Sequence, residues 1–299
     1  MERMIGVRGR AAFLLIGLAA TGPTAAPAAS QSQEPALKQS FDVADIERTR
    51  RVVVHISLPD GILKTTPILV VMHGNTRNAE AYHRTWQPHA RAHGAVLVTP
   101  EFSRQDWPRT RHYHQGNLLT ADKSTKPRAV WSFTAMERAV AIAARIADIE
   151  GERFYLYGHS AGAQFVHRYV MATGGARLIR AVAANAGWYT WPSRTTHYPH
   201  GVAPLDTHRW DWKSVFGTRL TILLGENDNN PESRSLRRTA SVMFQGRHRL
   251  ERGTGFFAAA RALSVETGTG FVWRLETVPG VAHSNGGMAE SAAGLLFQK

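Results

Sequence analysis

Ser160 is the residue around which chemistry can be built, because it stands in Gly158-His159-Ser160-Ala161-Gly162. The pattern G-x-S-x-G follows the run Phe154 to Tyr157 and precedes a helical stretch from Ala161, so the serine falls where a strand turns sharply into a helix. Glycines at both flanks have no Cβ, which lets strand and helix approach each other while Oγ stays exposed. The N-terminus of the following helix aims unsatisfied N–H groups at the same spot, where they can stabilise a developing oxyanion. A glycine-rich chain will produce this pattern by chance on occasion, but the flanking strand and helix argue against chance here.

A serine is a weak nucleophile until a base takes its proton and a carboxylate orients that base. Two downstream loops offer them. Leu220 to Leu224 runs into Gly225-Glu226-Asn227-Asp228, and Val272 to Val278 runs into Pro279-Gly280-Val281-Ala282-His283. His283, one of 14 histidines, is the expected general base and acid. Asp228 is the expected carboxylate, with Glu226 as its rival in the same loop. The oxyanion donors are expected to be the backbone N–H of Ala161 and one from His73-Gly74-Asn75, with Asn75 ahead of Gly74.

These groups need a frame that brings distant loops to one edge. Strand patterns recur at Val52 to Ile56, Ile68 to Met72, Ala95 to Thr99, Phe154 to Tyr157, Ala181 to Ala184, Leu220 to Leu224 and Val272 to Val278. Helical patterns lie between them: Ala79 to His93, broken or kinked at Pro88; Ser132 to Ile149; and Ala161 to Ala172, closed by Gly174-Gly175. Further helical segments are expected near Gly255 to Val265 and Gly286 to Phe297. Alternating strand and helix predicts an α/β fold, a mostly parallel central sheet with helices on both faces. The continuous aliphatic run Ile68 to Met72 suits a strand buried on both sides.

The N-terminus reads as a separate module. Arg3, Arg8 and Arg10 precede the apolar run Ala11 to Ala20, and small residues follow to Ala29, which is the layout of an export signal over 1–29. The apolar run is about half the roughly twenty residues of a membrane span, so stable membrane insertion is not expected. Residues 30–49 read as a flexible leader, and 50–299 as one catalytic domain carrying a lid or cleft loop near 188–215. The absence of cysteine among 299 residues excludes disulfides, thiolate metal sites and a cysteine nucleophile.

Taken together, His73-Gly74-Asn75, the Gly158 to Gly162 elbow, the Asp228 loop and the His283 loop resemble the α/β-hydrolase superfamily from about residue 50 onward. Within it, the Gly-His-Ser-Ala-Gly elbow in an exported chain of this size is similar to the polyhydroxybutyrate depolymerases and feruloyl esterases. That resemblance implies a secreted serine hydrolase that needs no cofactor. Many extracellular depolymerases of that kind carry disulfides and a polymer-binding domain, which this chain lacks.

Charge narrows the substrate. There are 36 Lys and Arg against 23 Asp and Glu, a formal net charge of +13. Basic residues gather between Arg104 and Arg128, after the third strand, and again from Arg234 to Arg261. Such runs are often plain solvated faces, yet arginine forks pair well with carboxylates. The combination resembles bacterial poly(aspartic acid) hydrolases, implying an anionic polymer substrate cut at amide or ester bonds. Neutral polyesters or feruloyl-type esters are the alternative. His159, Arg109, Arg111, Tyr113, Trp188 and Arg194 are the candidate substrate-contacting residues, with Tyr113 and Trp107 expected on the wall opposite the 188–215 loop. A satellite core under the long loop is an equal alternative for Trp188 and Trp191.

Other classes fare worse. Nucleic-acid binding would use the same charge, but no recognition motif is present and an export signal leads away from nucleic acid. His112-Tyr113-His114 lacks the helical spacing of a zinc site, so no metal is expected. A homodimer and a non-catalytic polyanion-binding protein are left open by the sequence.

Overall fold

The computed structural model describes residues 36–151, 153–203 and 211–298, together with Met1. The expected export signal and the start of the leader lie outside the described residues, as do 204–210 of the expected cleft loop. Eight strands form one sheet: β1 (Leu37–Ala44), β2 (Thr49–Ser57), β3 (Ile68–Met72), β4 (Val96–Glu101), β5 (Phe154–His159), β6 (Leu178–Ala184), β7 (Leu220–Gly225) and β8 (Arg274–Val278). Their spatial order is β1-β2-β4-β3-β5-β6-β7-β8. The first two pairings of that order are antiparallel and all the others are parallel.

Alternation along the strands builds a core on each face. Ile68, Val70 and Met72 of β3 join one cluster, roofed by α2 (Ser132–Ile146), α3 (Ala161–Thr173) and α6 (Arg249–Glu266). Leu69 and Val71 join the other, roofed by α1 (Ala79–Ala92) and α7 (Asn285–Phe297). Two short helices, α4 (Trp212–Gly217) and α5 (Ala240–Met243), complete the described set. Because β3, β5, β7 and β8 are all parallel, the loops bearing Asn75, Ser160, Asp228 and His283 leave the sheet at the same edge.

Two expectations need correction. The leader is not wholly flexible, because β1 occupies 37–44 and pairs antiparallel with β2 along its whole length. Only Phe41 and Val43 of that strand are buried, so its hydrophobic signal is short. Pro88 does not break α1, which runs from Ala79 to Ala92. Its buried face of Ala79, His83, Trp86 and Ala90 packs on β3, β4 and α7. That packing outweighs the lost N–H and the ring clash, a penalty of about 3 kcal/mol for proline inside a helix.

Candidate active site

Ser160 sits between β5 and α3 with φ 59° and ψ −114°. For a residue with a side chain such a backbone costs about 1–3 kcal/mol and persists only when its surroundings over-determine it. Here the Ser160 N–H donates to the Ala184 carbonyl at 2.9 Å, and the Ser160 carbonyl accepts from Gln164 N–H at 3.1 Å. The flanking glycines are sterically required: a Cβ on Gly158 would lie 2.3 Å from Gly162 backbone, and one on Gly162 would lie 2.1 Å from the Met72 carbonyl oxygen.

The sheet edge brings three groups into a chain of hydrogen bonds. His283 Nε2 lies 3.0 Å from Ser160 Oγ, and His283 Nδ1 lies 2.6 Å from Asp228 Oδ2. Asp228 is buried, and its other oxygen accepts from Arg249 Nη1 at 3.1 Å. Glu226 is turned outward, where it accepts a hydrogen bond from the Thr277 hydroxyl. The two loops are tied together by Asn185, at the end of β6, whose Oδ1 accepts from Gly225 N–H at 2.8 Å and whose Nδ2 donates to the Ala282 carbonyl at 3.3 Å. Asn227 N–H adds a bond to the Val281 carbonyl at 2.9 Å.

On the other side of Ser160 lies the loop after β3. A Cβ on Gly74 would lie 3.9 Å from Ser160 Cβ, which places this loop beside that serine. His73 anchors it. Its ring joins the Gly74 carbonyl through Nδ1 at 3.0 Å and accepts from Phe102 N–H through Nε2 at 3.1 Å. Burial pushes the His73 imidazole down to about 3, so it stays neutral. Arg104 donates to the Asn75 carbonyl at 2.7 Å, which pins the loop from outside. The Tyr82 hydroxyl closes in on Gly74, where a Cβ would lie 2.6 Å from it, whereas Ala161, at the first position of α3, has no earlier helical carbonyl to bond.

Most of the residues assigned to substrate contact are structural. Tyr113 is fully buried, donating to the His73 carbonyl at 2.6 Å and stacking on its ring. Trp107 is likewise buried and donates to the Arg51 carbonyl. Arg111 pairs with Glu47 at 2.9 Å, in an ionic cluster that also holds Arg50, Asp45 and the buried Lys126. Trp188 is nearly buried, with the Arg168 guanidinium 4.2 Å and the Arg237 guanidinium 5.6 Å from its ring. Tyr189 and Trp212 are also buried and belong to the main core, against which Trp191 and Tyr198 pack. His159 is buried against His283, their ring centroids 4.6 Å apart, rather than facing substrate. Arg109 and Arg194 are exposed.

Sequence reasoning missed three contributors. Arg249 was one arginine in a basic run, and nothing local marks it as the buried partner of Asp228. Tyr82 reaches His159 Nδ1 from α1 at 2.9 Å, a contact across 77 residues with no sequence signal. Asn185 had a faint one: an asparagine at a strand end, here at φ 51°, is a residue type that tolerates the left-handed region. Among the described residues no cluster of three metal-ligating side chains is present, and no helix is long and apolar enough to cross a membrane.

Comparison with solved structures gives strong matches. The chain is similar to poly(aspartic acid) hydrolase-1 from Sphingomonas sp. KT-1, at 38% identity and a TM-score of 0.81, over 89% of this chain and 100% of that one. It is similar to the poly(3-hydroxybutyrate) depolymerase from Bordetella parapertussis, at 30% identity and a TM-score of 0.78, over 88% and 90% of the two chains. An S-formylglutathione hydrolase from Agrobacterium tumefaciens shares the fold at 16% identity and a TM-score of 0.53, over 87% and 92%. Neither a family model nor a curated protein sequence matches the chain.

Proposed function

Because this chain belongs to the α/β-hydrolase superfamily, among the serine hydrolases related to poly(aspartic acid) hydrolase and polyhydroxybutyrate depolymerase, we propose that it cleaves an anionic polymer, poly(aspartic acid) foremost. The reaction runs through Ser160, His283 and Asp228. His283 Nε2 takes the proton as Ser160 Oγ attacks the acyl carbon, and the tetrahedral oxyanion is held by the N–H groups of Ala161 and Asn75. Gly74 is the second candidate donor, its position crowded by the Tyr82 hydroxyl. The imidazolium then gives its proton to the leaving amine or alcohol, producing an acyl-enzyme. Water, deprotonated by His283, releases the acid and returns Ser160. Asp228 holds Nδ1–H throughout and balances the imidazolium charge, and no cofactor takes part.

The observation that carries this reading is the unbroken chain Ser160, His283, Asp228, Arg249, each link within hydrogen-bond distance. The substrate rests on the similarity to poly(aspartic acid) hydrolase-1 and on a net charge of +13. Export through the segment 1–29 belongs to the same reading, as polymers do not enter cells intact. A neutral ester or polyester is the second reading, favoured by the likeness to the poly(3-hydroxybutyrate) depolymerase and by the internal pairing of Arg111 and Lys126.

Wild type and Ser160→Ala, assayed on polyaspartate and on a neutral p-nitrophenyl ester at low and high salt, separate the readings. Polyanion cleavage that requires Ser160 and fades with salt is the expected result, because screening over about 10 Å weakens recognition of a charged chain. Ester turnover alone, indifferent to salt, assigns a plain esterase or polyesterase. Undiminished turnover in Ser160→Ala would overturn the site.

A further inference from the structure

Behind the general base lies a second imidazole that the reaction above does not use. His159 immediately precedes the nucleophile, is buried, and packs its ring on that of His283 at a centroid distance of 4.6 Å and an interplanar angle of 39°. Its Nδ1 lies 2.9 Å from the Tyr82 hydroxyl, while its Nε2 is buried and has no hydrogen-bond partner among the described residues. Buried polar atoms are seldom left alone unless the arrangement serves something else.

Proton bookkeeping fixes the state of this pair. Tyr82 Oη has His159 Nδ1 as its hydrogen-bond partner, and burial raises the phenol so that it keeps its single proton to donate. The acceptor within reach is His159 Nδ1, which must then carry a lone pair. A neutral imidazole has one N–H, so that proton sits on Nε2. Burial, with His283 and Arg249 adding repulsion, holds the His159 imidazole well below its ordinary value and so keeps it uncharged.

We propose that Tyr82 and His159 are a positioning pair for His283: Tyr82, hydrogen-bonded to His159 and seated against Gly74, locks His159 as a neutral Nε2–H ring on which the imidazole of His283 rests. The lock has a chemical purpose. An unconstrained imidazole 4.6 Å from the general base is a competing base. With Nδ1 occupied by the phenol and Nε2 already protonated, His159 has no lone pair for the proton that leaves Ser160 Oγ. That proton stays on His283 Nε2 until the leaving group takes it. Tyr82 also spans two parts of the site, since it touches the loop that supplies the oxyanion donor as well as the elbow.

This inference rests on His283 acting as the base for Ser160, so it is tested on a neutral p-nitrophenyl ester, whose turnover does not depend on polyanion recognition. The variants are Tyr82→Phe, His159→Leu, His159→Asn and Tyr82→Phe combined with His159→Leu, each checked for a wild-type unfolding transition. Tyr82→Phe is expected to lower kcat about ten-fold with KM within about two-fold, the signature of a group whose influence is felt in the transition state rather than in binding. His159→Asn, whose Oδ1 can still accept from Tyr82, should retain most of the kcat that His159→Leu loses. The double variant should be no slower than His159→Leu alone, because both changes cut one connection. Nitrogen-15 spectra should place the His159 proton on Nε2 and show no titration from about pH 5 to 8. A proton on Nδ1, a Tyr82→Phe enzyme with full kcat, or additive losses in the double variant would overturn the proposal. Ser160→Ala is the control: if it retains turnover, the site itself is wrong, whereas an inactive Ser160→Ala beside a normal Tyr82→Phe removes only the positioning pair.

Discussion

At Asp228 one carboxylate faces two partners, His283 through Oδ2 and Arg249 through Oδ1. Asp228→Asn keeps the shape but presents an amide to His283 Nδ1, favouring the wrong tautomer, and should lower kcat about 10⁴-fold by analogy with other triads. Glu226→Gln should leave kcat unchanged, since Glu226 faces Thr277; steady-state kinetics of the two variants decides between the acids. Arg249→Met strands a buried carboxylate that had a buried partner, with side-chain exposures of 2% and 5%. Breaking such a pair from one side costs about 3–5 kcal/mol, readable in urea unfolding, and activity should fall with it. The contrast with Arg111 and Tyr113 shows where local sequence stops being informative. Ser160, Asp228 and His283 could be singled out because each lies a few residues past a strand pattern. Arg111 and Tyr113 lay in the right loop but point inward, and side-chain direction there is set by Glu47 and His73, residues far away in the chain.

The elements were legible in proportion to how much apolar surface they bury. β3, buried at every position, matches its expected bounds at Ile68 and Met72, while β1 has too weak a pattern to stand out from a leader, only Phe41 and Val43 being buried. α1 passes through Pro88 because its packed face decides the outcome. Helix and strand meet most tightly at the elbow, where Gly162 of α3 rests on the Met72 carbonyl at the end of β3. Gly162→Ala would force a methyl to 2.1 Å from that oxygen. Because the obstacle is backbone in the centre of the sheet, the expected loss is at the upper end of the overpacking range, about 3 kcal/mol or more. Thermal unfolding of Gly162→Ala beside Gly294→Ala, where a Cβ meets nothing within 4 Å, separates this crowding from a general effect of replacing helical glycine; the latter should be neutral or stabilising.

Across the whole molecule, part of the positive charge is structural. Asp45 joins Arg50, Lys126 and Asn117 in a buried cluster that ties the β1–β2 turn to the loop after β4. Burial alone would raise the Asp45 carboxyl, but hydrogen bonds from Lys126, Asn117 and Arg50 overcome that and bring it down to about 2. A carboxyl depressed on folding stabilises the native state above its unfolded value and loses that contribution as pH falls towards the folded one. Stability should therefore decline between about pH 4 and pH 2, and Asp45→Asn should flatten this part of the curve in acid unfolding followed by circular dichroism. The functional edge is assembled in the same collective way. Ser160 follows β5 in the middle of the sheet, whereas His283 follows β8 at one border, and Asn185 ties that last loop to its neighbour. A chain whose β8 border has not docked has Ser160 without its His283 partner. On the function proposed above, closing the sheet at β8 and completing the site are therefore one event.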